Sequence, residues 1–404
     1  MEEWIKIRLG DIVEVSSGFS YKGEYIGSGR SILLGMGCVS FKEKFLMSGA
    51  RPYSGESPDR FHAQPGDIVL ATRQQSENLP ILGMPAIIPD SLSGHDVIVG
   101  ANLYRIINNS EIDNRFLYLQ LKTPHYLDHI NKCKTGTTVR MITKKNIEDY
   151  VFLCPPKEAR EKIVSMLWNI EDKIDLNKRI NHNLEEQAQA LYKSWFVDFE
   201  PFRGGNFVDS ELGLIPEGWR VGTLSEISSI TMGQSPSGTS FNEVGDGIVF
   251  YQGRTEFGNR FPSIRLYTTE PTRFAERFSV LLSVRAPVGD INIAKEKCCI
   301  GRGLASIHGL FQSFVYYTVG SLKPVLNRFN GEGTVFGSIN RKELEELKII
   351  VPPAIIQEDF NSIVSRYDRD IYNRSSENET LCQLRDKILP KLMSGELKIN
   401  DLTC

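Results

Sequence analysis

From Ile163 onward, apolar and amide residues return every four and then three positions: Ile163, Leu167, Ile170, Ile174, Asn177, Asn181, Leu184, Ala188, Leu191 and Trp195. This is the period of a helix with one stripe turned to a partner. No Pro or Gly interrupts residues 157–200, so the pattern predicts one helix about 60 Å long at 1.5 Å per residue. A second such stretch carries Phe360, Ile363 and Tyr367, then a polar middle, then Leu381, Leu384 and Ile388. It stops near Gly395, a residue suited to the position after a helix C-terminus. A lone amphipathic helix of this length cannot bury its stripe. Both stretches are apolar at their ends and polar in the middle (Asn177 and Asn181; Asn373, Arg374 and Asn378), which suits an antiparallel coiled-coil pair. The expected seam is Ile163, Leu167, Ile170, Ile174, Leu184 and Leu191 on the first helix, and Ile363, Tyr367, Leu381, Leu384 and Ile388 on the second.

Outside these stretches the period changes. Short apolar runs at 68–70, 280–282 and 349–351 read as strands, punctuated by Gly, Pro and Asn, with a helical stretch near 115–127. The strand-rich parts also repeat one another. Trp4, Leu9 and Ile12 recur as Trp219, Leu224 and Ile227. "GDIVLATR" is answered by "FSVLLSVR", "VGANLYRI" by "IGRGLASI", and "TTVRMITKKNIEDYVFLCPP" by "TVFGSINRKELEELKIIVPP". The blocks keep their order, and each copy closes on a Pro-Pro pair that opens a long helix. The expected architecture is α+β: two pseudo-symmetric globular domains, 1–155 and 201–352, separated by two long antiparallel coiled-coil helices, the first in 156–200 and the second, with a C-terminal tail, in 353–404. Trp4 and Trp219 are expected to be core anchors.

A chain of 404 residues exceeds one ordinary core. Its 41% hydrophobic and 24% charged content is that of a soluble globular protein. No apolar run approaches the roughly 18 residues of a membrane span, and no secretory signal is present, so no membrane association is expected. Seven cysteines lie scattered without a C-x-x-C pair, which suits a reducing cytoplasm. The net charge of −3 is unusual for a nucleic-acid binder, unless charge is segregated by domain or supplied by a partner.

Catalytic signatures are missing. There is no phosphate loop and no G-x-S-x-G. "GMGCVS" and "GRGLAS" fall short of a dinucleotide fingerprint and read as turns. "HYLDH" places His125 and His129 one helical turn apart without a third metal ligand, and reads as a solvated face. "CPPK" and "VPPA" lack the amide or carboxylate that precedes the prolines in nucleotide methyltransferases. Recognition is therefore expected rather than catalysis. Polar, basic, Gly-flanked loops offer the means: Arg73, Gln74, Gln75, Asn78, Lys134 and Arg140 in the first copy, and Gln252, Arg254, Arg260, Arg285, Arg328 and Asn330 in the second. Arg reads guanine and Gln or Asn reads adenine by paired hydrogen bonds, while Lys and Thr hold phosphates. The same residues also occur in ordinary solvent-facing loops.

A Pro-Pro, a long helix ending in "LYKSWFVDFEPF", a second globular part opening with "SELGLIPEGW", the segment "LLSVRAPVGDI" and a final helix ending in "LRDKILPKLMSGEL" together resemble the specificity subunit of type I restriction–modification systems. The resemblance covers essentially the whole chain. It implies two target recognition domains, each reading one half of a split and asymmetric double-stranded DNA target. It implies conserved spacer helices that set the gap between the halves. It also implies two docked modification subunits carrying S-adenosylmethionine, restriction subunits using ATP and Mg, and no cofactor, metal or catalysis on this chain. Two alternatives stay open: a scaffold whose domains bind proteins, and a fused DNA methyltransferase or nuclease.

Overall fold

The computed structural model describes residues 4–74, 80–331 and 337–398. Contacts gather the chain into two units, Met1–Asp175 with Asn378–Cys404, and Leu176–Glu377. The division falls inside both long helices, the central helix Lys157–Phe196 and the distal helix Ala354–Ser394. Each unit therefore combines one globular part with facing halves of the two helices.

In the first unit a ribbon joins Ile5–Arg8 to Val151–Cys154. An antiparallel sheet follows in the order Val13–Ser17, Leu103–Asn108, Ile68–Ala71, Pro85–Ile87. The run Ile68–Ala71 is continuous in apolar character because both of its faces are buried. A second sheet is ordered Ala50–Tyr53, Ile26–Leu34, Val97–Val99, His62–Ala63, with its middle pair parallel. The helix Pro124–Cys133 starts where Thr123 accepts from the Tyr126 N–H and Pro124 takes the first helical position.

The second unit repeats this plan, with a fifth strand, Phe241–Asn242, added at the edge of its second sheet. Its ribbon is Arg220–Thr223 with Lys348–Val351. Its antiparallel sheet is ordered Ser229–Met232, Leu304–His308, Val280–Ser283, Ile291–Ile293. Its second sheet again has a parallel pair, Ile248–Tyr251 with Cys298–Ile300. Even a one-turn helix recurs before the closing ribbon strand: Lys144–Glu148 capped by Thr143, and Arg341–Glu345 capped by Asn340, each with a reciprocal capping box. The second unit adds a hairpin, Phe207–Ser210 with Gly213–Pro216. Trp219 is buried among Phe196, Phe199 and Phe202. Trp4 is half-buried against Gly395, whose φ of 76° ends the distal helix in the left-handed conformation.

The helix halves pair antiparallel within each unit. In the first unit Glu171 meets Arg385, and the Ile174 carbonyl accepts from Asn378. In the second, Asn177 donates to Glu377 and Asn181 to Ser375. Ile163, Leu167 and Ile174 are buried, and Ile170, Leu184 and Leu191 are half-buried on the same side. Tyr367, Leu381 and Ile388 are likewise half-buried. Two expected seam positions are corrected. Ile363 and Leu384 are 37% and 45% exposed. Their places are taken by the next residues along, Val364 and Arg385, so the distal seam runs through Phe360, Val364, Ile371, Arg385, Leu389 and Leu392. Arg385 belongs there because it neutralises Glu171, itself buried at a central-helix seam position. Among the described residues, no helix is long and apolar enough to cross a membrane.

Candidate nucleic-acid interface

In the first unit the chain leaves the strand Ile68–Ala71 through Thr72. Its N–H donates to the Asn102 carbonyl at 3.1 Å, and its carbonyl accepts from the Ile142 N–H at 3.2 Å. The next residues, Arg73 and Gln74, form a two-residue antiparallel ladder with Arg140 and Met141. Alternation along the ladder turns Arg73 outward and Gln74 inward. Two loops far apart in sequence thus bring Arg73, Arg140 and Lys134 to one place. Arg140 donates to the Gly136 carbonyl at 2.9 Å and Lys134 to the Asn131 side chain at 3.2 Å.

The second unit builds the same lattice. The strand Val280–Ser283 exits through Val284, whose N–H donates to the Gly303 carbonyl at 3.0 Å and whose carbonyl accepts from the Ile339 N–H at 3.1 Å. The next residue is Arg285, bridged to Ser338 as Arg73 is paired with Met141. Arg285 is exposed and has no acidic partner among the described residues. Gln252, also exposed, lies on the loop packed against Gly301 and Gly303. Arg254 and Lys323 both donate to Asp290. Burial works to raise the Asp290 carboxyl, but these two hydrogen bonds outweigh it and hold its pKa below the ordinary value. Arg328 is exposed beside Asn330.

Several expected contacts are corrected. Gln74 is only 7% exposed, so its amide does not face a groove. Asn330 spends its side chain on the chain itself: its oxygen accepts from the Val288 N–H at 2.5 Å and its amide donates to the Asn327 carbonyl at 3.2 Å. Arg260 is 6% exposed; it pairs with Asp368 at 2.5 Å and with Glu185, and lies over the Tyr316 ring at 4.4 Å. It fastens its loop to both long helices and is closed to DNA. Gln75 and Asn78 lie outside the described residues. His125 is exposed, as a solvated face requires, and His129 is half-buried; both flank Tyr150, with His125 bonding its hydroxyl at 3.0 Å and His129 the Asn146 carbonyl at 2.7 Å. Among the described residues, no three His, Cys, Asp or Glu side chains gather as a metal ion would require.

A family model, the type I restriction modification DNA specificity domain, matches residues 1–186 and again 216–381. The chain belongs to this family. It is 36% identical over 252 residues to a putative type I restriction enzyme MjaX specificity subunit of Methanocaldococcus jannaschii, a match covering 61% of this chain and 59% of that one. It is 24% identical to the MjaIX specificity subunit of the same organism, over 99% of this chain and 95% of the relative. Among solved structures, the type I restriction-modification S subunit of M. genitalium has the same fold, with a TM-score of 0.58 at 17% identity, covering 97% of this chain and 96% of that one.

The twofold match restates the repeat: each specificity domain carries one copy of the Arg73 or Arg285 lattice. Arg302 joins the second copy and was missed from sequence. It is exposed on the turn whose Gly303 carbonyl holds Val284. Its signal was its place inside the repeated block "IGRGLASI", where a turn reading hid it. Among the described residues of this specificity subunit, Cys38, Cys154, Cys298 and Cys299 are buried packing groups. Burial pushes Cys38 and Cys298 up to about 12, so neither is a thiolate at neutral pH.

Proposed function

We propose that this type I specificity subunit reads a bipartite, asymmetric double-stranded DNA target, one half-site per unit. It would do so without catalysis of its own. Two modification subunits and the restriction subunits would supply the chemistry, together with S-adenosylmethionine, ATP and Mg, in the cytoplasm. One observation carries the reading: the same pair of backbone hydrogen bonds projects an exposed arginine, Arg73 or Arg285, from the same strand end in both units. A guanidinium held on a fixed strand end can present its paired donors to guanine O6 and N7, or to a phosphate. Around it, Lys134 and Arg140, or Gln252, Arg302 and Arg328, supply further donors. These differ between the units, which is why the half-sites should differ.

Methylation mapping with the modification subunit tests this. Arg285→Ala should relax one half-site and Arg73→Ala the other, each weakening discrimination there by about 1–3 kcal/mol. Both halves changing together, or neither changing in variants with wild-type melting temperature, would refute independent reading by these arginines.

A further inference from the structure

The second unit has a cavity of about 470 Å³ between its sheet and the distal helix. It lies at the start of the strand Val280–Ser283, the end opposite Arg285. DNA held by Arg285 would therefore approach the other end of that strand. Two of its cations are in no ion pair. Arg277 and Arg369 line the cavity, are exposed, and have no acidic partner among the described residues. By contrast Arg260, at the back, is already paired with Asp368 and Glu185, and only its Nε lacks a hydrogen-bond partner.

The wall is aromatic, and its rings are in contact with one another and with Arg277. Phe278 and Phe261 each meet Tyr372 edge-on, at 5.3 and 5.8 Å. Arg277 lies over Phe278 and Tyr372, at 4.5 and 5.0 Å. One face of Phe278 and one of Tyr372 are thus given to a guanidinium. What is offered is guanidinium edges, pre-positioned by the rings, beside an apolar rim where Leu310 is 86% exposed. Exposed arginine and aromatic side chains beside an apolar anchor are the composition of a protein-docking hot spot.

The first unit shows that the fold does not require this arrangement. Counted from the doubled prolines, Arg369 and Tyr372 correspond to Asp172 and Asp175, which spend their charge on Lys44. Phe278 corresponds to Gly66. Both have positive φ, 68° and 87°, a conformation that suits glycine and strains phenylalanine. The second unit thus keeps a strained ring where the first has none, and arginine where the first has a carboxylate.

We propose that this cavity docks a partner protein through a segment bearing an apolar side chain flanked by carboxylates. The inference rests on the reading of the chain as a subunit of a larger complex. The test uses the full chain co-produced with its modification and restriction subunits, with a photo-crosslinking phenylalanine analogue in place of Leu310. The expected product joins Leu310 to a partner peptide rich in Asp or Glu. Arg277→Glu with Arg369→Glu should cut that product at least tenfold, and should leave the melting temperature and DNA gel shift of the free chain unchanged. Leu310→Asp, at a solvent-exposed rim position, is the second variant should the double change fold poorly; it too should weaken partner binding at least tenfold. No crosslink, a crosslink to DNA, or undiminished assembly in the charge-reversed or Leu310→Asp chain would overturn the proposal. If instead DNA reading is the error, the wild-type gel shift fails while the crosslink still forms.

Discussion

Replacing Arg385 by Met takes one charge out of a buried pair and leaves the other behind. Glu171 and Arg385 are 3% and 6% exposed, and their side chains meet at 3.0 Å. At that separation, an effective dielectric near 20 gives an attraction of about 5 kcal/mol. Burial works against the Arg385 charge, but Glu171 and Asp386 more than offset it and lift its pKa above the ordinary arginine value. Without Arg385, Glu171 must stay ionised in a dry seam, take up a proton, or open the helix pair. The expected cost is about 3–5 kcal/mol, the usual range for breaking a buried pair from one side. Glu171→Gln should cost less, because Arg385 keeps Asp386 at 2.8 Å. The double change Glu171→Leu, Arg385→Met removes both charges and should be neutral or stabilising by about 1–4 kcal/mol. The two-unit chain need not unfold in one step, so the assay is native-state hydrogen exchange on peptides covering 163–175 and 381–393. Protection there should fall by two to three orders of magnitude or more in Arg385→Met and return in the double variant. Unchanged protection in Arg385→Met, or equal losses in the single and double variants, would refute the argument that an uncompensated charge is what costs.

Other consequences follow from the same structure. Burial lowers the Lys122 pKa to about 8 from the ordinary 10.5, so the folded state holds fewer protons than the unfolded one between those values, and the penalty of about 3 kcal/mol at most is full below pH 8 and fades as pH rises. Lys122→Met should therefore stabilise the first unit at neutral pH and lose its advantage towards pH 10.5; a difference independent of pH in thermal melts would contradict this. Gly395→Ala puts a Cβ at φ 76°, 3.2 Å from the Trp4 ring, and should cost about 1–2 kcal/mol in the exchange of the distal helix end, whereas no loss would mean the turn relaxes freely. On the proposed function, one heptad inserted after Asn177 and one after Glu377, which face each other, lengthens both helices by about 10 Å and should widen the unread DNA gap by roughly 3 base pairs. Methylation mapping that shows an unchanged gap with full activity would mean the helices do not set it.

The long helices and the repeated strands were legible because both are periodic, and periodicity survives in a single sequence. The seam went astray only where the period and the chemistry disagree. A search for apolar residues chose Leu384 over Arg385 and Ile363 over Val364, although the four-and-three step from Leu392 backward reaches Arg385 and then Ile371, which was overlooked. A buried guanidinium is invisible to such a search unless its carboxylate, here Glu171 on the other helix, is sought with it. The candidate interface failed in the same way. Arg254 and Arg260 look alike in one basic loop, yet one reaches Asp290 at the surface and the other is buried on Asp368, 108 residues away. No local signal separates them, because the deciding partner lies on another element. Gln74 is no easier: both faces of the strand before it are buried, so alternation alone does not say which of Arg73 and Gln74 turns inward. What the repeat adds is a control within one molecule. Positions that keep their role in both copies, such as Arg73 and Arg285 on their matched backbone bonds, belong to what the two units share. Positions that change character, such as Gly66 to Phe278 and Asp172 to Arg369, mark what only the second unit does.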